Sequence, residues 1–196
     1  MKLTTKQRLK KEQIIEAART VFKTFGYKKT TMIDVAKATG NAKSSIYYYF
    51  ESIEDIFKSV ILSEARIYRD NVLEAINSTK DPHNKLKNYI LIRLQTDKIL
   101  SNFHKALKDS NLRQIRFIDK LIKLYDREEY SIFSDILQSG VETGYFQIFD
   151  LKNAAVGIVM AMRGIESSLL LNPDDPLLEE KIKNVLNVVL YGIVKR

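Results

Sequence analysis

Apolar residues recur at helical spacing along almost the whole chain. Ile14, Ala18, Val21, Phe22 and Phe25 fall on one face with basic residues opposite, which predicts a first helix ended by Gly26. Thr31 with Asp34 three positions on makes a capping box, which predicts a short helix over 32–39 stopped by Gly40. The turn Gly40-Asn41-Ala42 leads to a third short helix over about 43–49. Two short helices joined by a tight glycine-containing turn, behind a longer supporting helix, make the helix-turn-helix pattern.

Ser52 and Asp55 form another capping box, opening a long helix with Ile56, Val60, Ala65 and Ile67 that runs to about Asn77. The polar cluster from Asn77 to Pro82 breaks it. The apolar spacing predicts two or three helices over 83–140, a loop over 140–144, an apolar helix over 151–171, a turn over 172–176 and a last helix over 177–194. No strand pattern competes, and seven glycines with three prolines suit long helices better than a turn-rich β fold. The expected fold is all-α, a three-helix N-terminal domain (1–50) followed by a larger helical domain (51–196).

Charge changes the picture. Residues 1–50 carry eleven Lys and Arg against three acids, so the whole formal excess of +8 lies there and residues 51–196 balance. A module facing a polyanion sorts its charge this way; an evenly solvated surface does not. Cysteine is absent and His83 and His104 are the only histidines, which excludes disulfides, thiolate chemistry and histidine-rich metal centres. The phosphate-loop, dinucleotide, nucleophile-elbow and H-E-x-x-H motifs are absent, so an enzyme is disfavoured and neither cofactor nor metal is expected. The chain start lacks the apolar core of an export signal, and the apolar run over 154–162 is far short of a bilayer span, so a cytoplasmic protein is expected.

On the third helix, Lys43, Ser44, Tyr47 and Tyr48 share one face, while Ile46, Tyr49 and Phe50 share the other and would anchor on Val21, Phe22, Val35 and Ala36. The outer face offers a cation, a hydroxyl and two phenols, a set suited to phosphates and base edges in a major groove. Lys28, Lys29, Thr30 and Thr31 stand at a helix N-terminus, where amides and the helix dipole favour phosphate. With Ser45 at the start of the third helix, these are the candidate DNA contacts.

The stretch resembles the TetR family of bacterial transcriptional regulators. The resemblance rests on Ile14-x-x-Ala17-Ala18-x-x-Val21-Phe22-x-x-x-Gly26-Tyr27, Thr30-Thr31-x-x-x-Val35-Ala36-x-x-x-Gly40 and Ile46-Tyr47-Tyr48-Tyr49-Phe50-x-Ser52-x-Glu54-x-Ile56. It implies a two-domain, all-helical homodimer whose first 50 residues bind a DNA half-site and whose remainder binds a small-molecule effector and dimerises. Three positions depart from the family pattern. Asn41 and Ala42 replace the usual valine and serine cap, and Ile53 replaces a lysine that touches phosphate.

In such proteins the last two helices pair across a two-fold axis. Gly157, Ala161, Gly164 and Ser168 form a stripe of small residues suited to close helix approach, and the final helix carries Ile182, Val185 and Val189 on its apolar stripe. The effector pocket implied by the resemblance has as candidate lining residues Tyr89, Phe103, His104, Phe117, Tyr125, Phe133, Met160 and Arg163, and an apolar or amphipathic ligand is expected. Arg163 and Glu166 interrupt an apolar helix, either as an exposed ion pair or as a buried pair orienting the ligand. The expected activity is that of a repressor released from its operator by the effector. A membrane-surface protein using the basic first helix is the rival reading, but that helix lacks the bulky apolar stripe of interfacial helices.

Overall fold

The computed structural model describes residues 4–96, 101–113 and 115–171, with the isolated positions 180, 183, 184, 187, 188 and 191. Apart from those isolated positions, which are helical, the turn and last helix expected over 172–194 lie outside the described residues, and so do Ile182, Val185 and Val189. The elements are α1 (Thr5–Phe25), a 3-10 turn (Tyr27–Lys29), α2 (Met32–Ala38), α3 (Lys43–Tyr49), α4 (Ile53–Asn77), α5 (Pro82–Thr96), α6 (Ser101–Lys108), α7 (Ser110–Arg113), α8 (Arg116–Glu142) and α9 (Leu151–Leu171). The fold is all-α, with no strand among the described residues.

Local signals account for most helix ends. Gly26 ends α1 at φ 76°, a left-handed value that a side chain resists, and its N–H reaches the Phe22 carbonyl. At the end of α2 the Gly40 N–H donates to the Lys37 carbonyl and the Asn41 N–H to the Ala36 carbonyl, which is the Schellman arrangement with glycine at its left-handed position. Pro82 opens α5, where a missing N–H costs nothing, and Asp81 accepts from the His83 N–H.

Two expectations are overturned: among the described residues four helices, α5 to α8, occupy the stretch expected to hold two or three, because short breaks near residues 109 and 115 divide it, and one boundary is displaced. The loop expected over 140–144 is helical as far as Glu142, and Gly140 sits inside the last turns of α8. Glycine is needed there for approach rather than for a turn, since the Phe146 ring lies where a Cβ would be and the Phe146 N–H donates to the Gly140 carbonyl.

The chain forms two compact units, one of residues 1–69 with 97–119 and the other of 70–96 with 120–196, which differs from the expected division at residue 50. The first unit buries Ile14, Ala18, Val21 and Phe22 of α1, Val35 and Ala36 of α2, Ile46 of α3, and Ile56, Phe57, Val60 and Ile61 of α4. Burial of each large apolar side chain contributes about 1.5–3 kcal/mol, so α2 and α3 are held chiefly by this core rather than by their seven residues' own propensity. The second unit buries Leu86, Tyr89 and Ile90 of α5, Phe133, Ile136 and Leu137 of α8, and Ile158, Val159 and Met162 of α9.

Candidate nucleic-acid interface

The third helix is anchored through Ile46, which is fully buried, and through Phe50 just beyond its end. The Lys11 ammonium on α1 lies 4.8 Å from the centre of the Phe50 ring, which ties the supporting helix to this anchor. The opposite face is open. Lys43, Ser44 and Ser45 are exposed, Tyr47 is 47% exposed and Tyr48 is 64% exposed. The Lys43 ammonium lies 5.6 Å from the Tyr47 ring centre one turn along, and Tyr48 meets Tyr49 edge-on at 4.9 Å. A cation, a hydroxyl and two phenols therefore share one helical face, as the residue spacing predicts, with Ser45 exposed beside it.

Gln7, which the sequence reading passed over, reaches this face. Thr4 and Gln7 form a capping box at the start of α1, in which the Thr4 N–H donates to Gln7 Oε1 at 2.8 Å and the Gln7 N–H to the Thr4 hydroxyl. The same Gln7 side chain donates through Nε2 to the Tyr48 hydroxyl at 2.6 Å. The T-x-x-Q spacing marks the cap in the sequence, but nothing local marks a contact between positions 41 residues apart.

The four residues before α2 divide. Lys28 and Lys29 are exposed on the 3-10 turn. Thr30 turns inward, 4% exposed, and its hydroxyl donates to the Gly26 carbonyl at 2.8 Å, so it braces the end of α1 rather than facing outward. Thr31 is the α2 cap, with its N–H and its hydroxyl both donating to the Asp34 carboxylate while the hydroxyl accepts from the Asp34 N–H. These hydrogen bonds, the Thr31 hydroxyl first, hold the Asp34 carboxyl below its usual range.

Of the three departures from the family pattern, the altered turn leaves a visible mark. Ala42 takes the extended backbone of a cap but offers no side-chain acceptor to α3. Asn41 does not replace it, because its amide donates to the Thr39 carbonyl at 2.9 Å. At the third position, Ile53 is half-buried at the start of α4, where the Ser52 hydroxyl accepts the Asp55 N–H.

Residues 14–60, which span α1 to the first turns of α4, match the family model described as bacterial regulatory proteins, tetR family. These residues carry the N-terminal domain of the TetR family. The chain is 28% identical to the fatty acid metabolism regulator protein of Bacillus subtilis, over 70% of this chain and 71% of that one. It is 22% identical to the transcriptional repressor KstR2 of Mycolicibacterium smegmatis, over 95% and 91%. A crystal structure of a transcriptional regulator from Cytophaga hutchinsonii superposes with a TM-score of 0.76 at 28% identity, covering 95% of this chain and 99% of that one. The domain match and these relatives point to a DNA-binding transcriptional regulator rather than an enzyme.

Behind this domain's helices, α1 is tied to α4 and α6 by a buried charge. Glu64 on α4 has no exposure and accepts from the Asn102 amide at 2.8 Å and from the Phe103 N–H at 2.7 Å, with the Arg19 guanidinium 3.5 Å away. The Asn102 amide also donates to the Arg19 carbonyl of α1. Burial raises the Glu64 carboxyl above its usual range despite these partners.

The candidate effector residues are split between the units. Phe103 and Phe117 lie in the first, where Phe103 packs near Tyr68 and Phe117 edge-on to Phe57. Tyr89, Tyr125, Phe133, Met160 and Arg163 lie in the second. There Tyr89 and Phe133 are buried with ring centres 4.6 Å apart, and the Tyr89 hydroxyl donates to Glu129, which pairs with the buried Arg93. Arg163 reaches Asp126 on α8 at 2.6 Å, while the side chains of His104, Glu166 and Ser168 lie outside the described residues. Met160 is 65% exposed. It shares the open side of α9 with Gly157 and Gly164, and a Cβ at either glycine would meet nothing within 4 Å.

Proposed function

We propose that the protein is a homodimeric, cytoplasmic repressor that places α3 of each subunit in the major groove of an operator half-site and is released by a small apolar or amphipathic effector. The observation that carries this reading is the outer face of α3, where Lys43, Ser44, Ser45, Tyr47 and Tyr48 stand exposed on a helix anchored from behind by Ile46. Lys28, Lys29 and Thr31 flank that face as candidate backbone contacts. In this reading residues 1–50 are the reading head, and residues 51–196 bind effector and dimerise.

Dimerisation through the open side of α9 is supported by Gly157, Ala161 and Gly164, which leave room for a second helix. Ser168 and, on the last helix, Ile182, Val185 and Val189 continue that proposed contact. The aromatic and aliphatic interior around Tyr89 and Phe133 suits an apolar ligand, and the Bacillus subtilis relative is named for fatty acid metabolism. Release by the effector requires that it favour a spacing of the two heads that does not fit the operator.

The test is capture of fragmented genomic DNA on the purified protein at near-physiological salt, followed by sequencing. The expected result is a palindrome with half-sites about one helical turn apart. Recovery of no enriched sequence overturns the reading.

A further inference from the structure

We infer that Gln7 fixes the polarity of the Tyr48 hydroxyl, so that Tyr48 offers DNA an O–H donor and recognises a hydrogen-bond acceptor on the operator. The inference rests on the proposed placement of α3 in the groove and adds to it which atom type one side chain can recognise. Gln7 is then a positioning residue, 41 positions before Tyr48 in the chain yet in direct contact with it.

The two ends of the Gln7 amide are told apart by their partners. The Thr4 backbone N–H can only donate, and it sits 2.8 Å from one end of the amide. That end must be the oxygen. The other end, 2.6 Å from the Tyr48 oxygen, is therefore the NH2 group, and Tyr48 accepts from it. A phenol has one proton and two acceptor sites. With an acceptor site of Tyr48 taken by Gln7, the phenol proton is directed elsewhere, and among the described residues no acceptor receives it. Tyr48 is well exposed, on the same face as Lys43 and Tyr47. Its proton is thus presented outward as a fixed donor.

On duplex DNA the matching groups are phosphate oxygens and, in the major groove, purine N7, guanine O6 and thymine O4. The amino groups of adenine and cytosine are donors and do not match. Without Gln7 the phenol could turn and serve as donor or acceptor alike, and that discrimination would be lost.

The experiment measures affinity for the recovered operator by fluorescence anisotropy, with single methylphosphonate or 7-deazapurine substitutions scanned along each half-site. Wild-type protein should lose about tenfold at one modified position, the worth of one neutral hydrogen bond. A methylphosphonate hit makes the partner a phosphate, and a 7-deazapurine hit makes it a base edge. Tyr48→Phe should bind the unmodified operator about tenfold more weakly and be insensitive at that position. The decisive variant is Gln7→Glu. It keeps the capping box, because glutamate at that position serves the cap as well as glutamine, but its carboxylate can only accept and so draws the Tyr48 proton inward. It should become insensitive at the same position, and at a 7-deazapurine, which changes no charge, the added carboxylate does not enter that difference. Retained sensitivity in Gln7→Glu, or unchanged affinity in Tyr48→Phe, overturns the inference while leaving α3 as the reading helix. Absence of any sequence-specific binding by the wild type overturns both.

Discussion

Glu64 on α4 accepts the Phe103 N–H of α6 at 2.7 Å with its carboxylate wholly shielded from water. The same carboxylate takes the Asn102 amide, and Asn102 in turn holds the Arg19 carbonyl of α1. A single buried acid thus organises three helices of the first unit. Removing it leaves the buried Phe103 N–H without its acceptor and takes one partner each from the Asn102 amide and the Arg19 guanidinium, which keep the Arg19 carbonyl and Glu16. Glu64→Ala should therefore lower stability by about 3–5 kcal/mol, read as a fall in the denaturant midpoint. A loss below ~1 kcal/mol would mean that the network adds little to the fold.

The same residue sets a pH dependence. Burial raises the Glu64 carboxyl in the folded chain, so the native state holds this proton more tightly than the unfolded state does. The contribution is fully present below the unfolded carboxylate range and is lost as pH rises through the raised native value. Stability against pH in the mildly acidic range should accordingly slope downward more in the wild type than in Glu64→Gln, whose amide does not titrate. Equal slopes would show that the group titrates normally.

Gly140 is committed by Phe146. A methyl group at Gly140 would occupy the space of the buried Phe146 ring, so Gly140→Ala should cost about 1–3 kcal/mol by thermal melting. The second substitution Phe146→Ala in that background should add less than it does alone, because the collision it removes is the one the alanine created.

Ala42 stands at the cap of α3 with the extended backbone that a capping serine uses. Ala42→Ser should raise stability by about 0.5–2 kcal/mol by supplying the missing acceptor. No increase in melting temperature would show that the α3 start is already satisfied.

Thr30 should behave differently from the exposed Lys43. Thr30→Val removes the bond to the Gly26 carbonyl and should cost about 1 kcal/mol of stability, with no change in the salt dependence of DNA binding. Lys43→Ala should leave stability nearly unchanged and reduce the salt slope by about one contact's worth. Lower operator affinity in folded Thr30→Val would place that hydroxyl on the DNA after all.

What could be read from the residues alone was what depends on near neighbours in the chain. The Thr31–Asp34 capping box, the left-handed glycines at 26 and 40, the apolar spacing of α1 and the bounds of α9 are all determined within a turn or two of helix, and each is found in the structure as expected. Sorting of the positive charge into the first 50 residues needed only counting, and with the family motif it pointed to DNA. Tertiary packing decided the rest. Thr30 faces inward because the Gly26 carbonyl lies behind it, and the end of α8 runs on through Gly140 because Phe146 folds back over it. Gln7 meets Tyr48, and Glu64 meets Asn102, across separations of 41 and 38 residues. Periodicity reports which face of a helix is buried; it carries no information about which distant side chain that face will meet. Those pairings follow only once the chain has closed its long loops and hydrogen-bonding groups must find partners away from water.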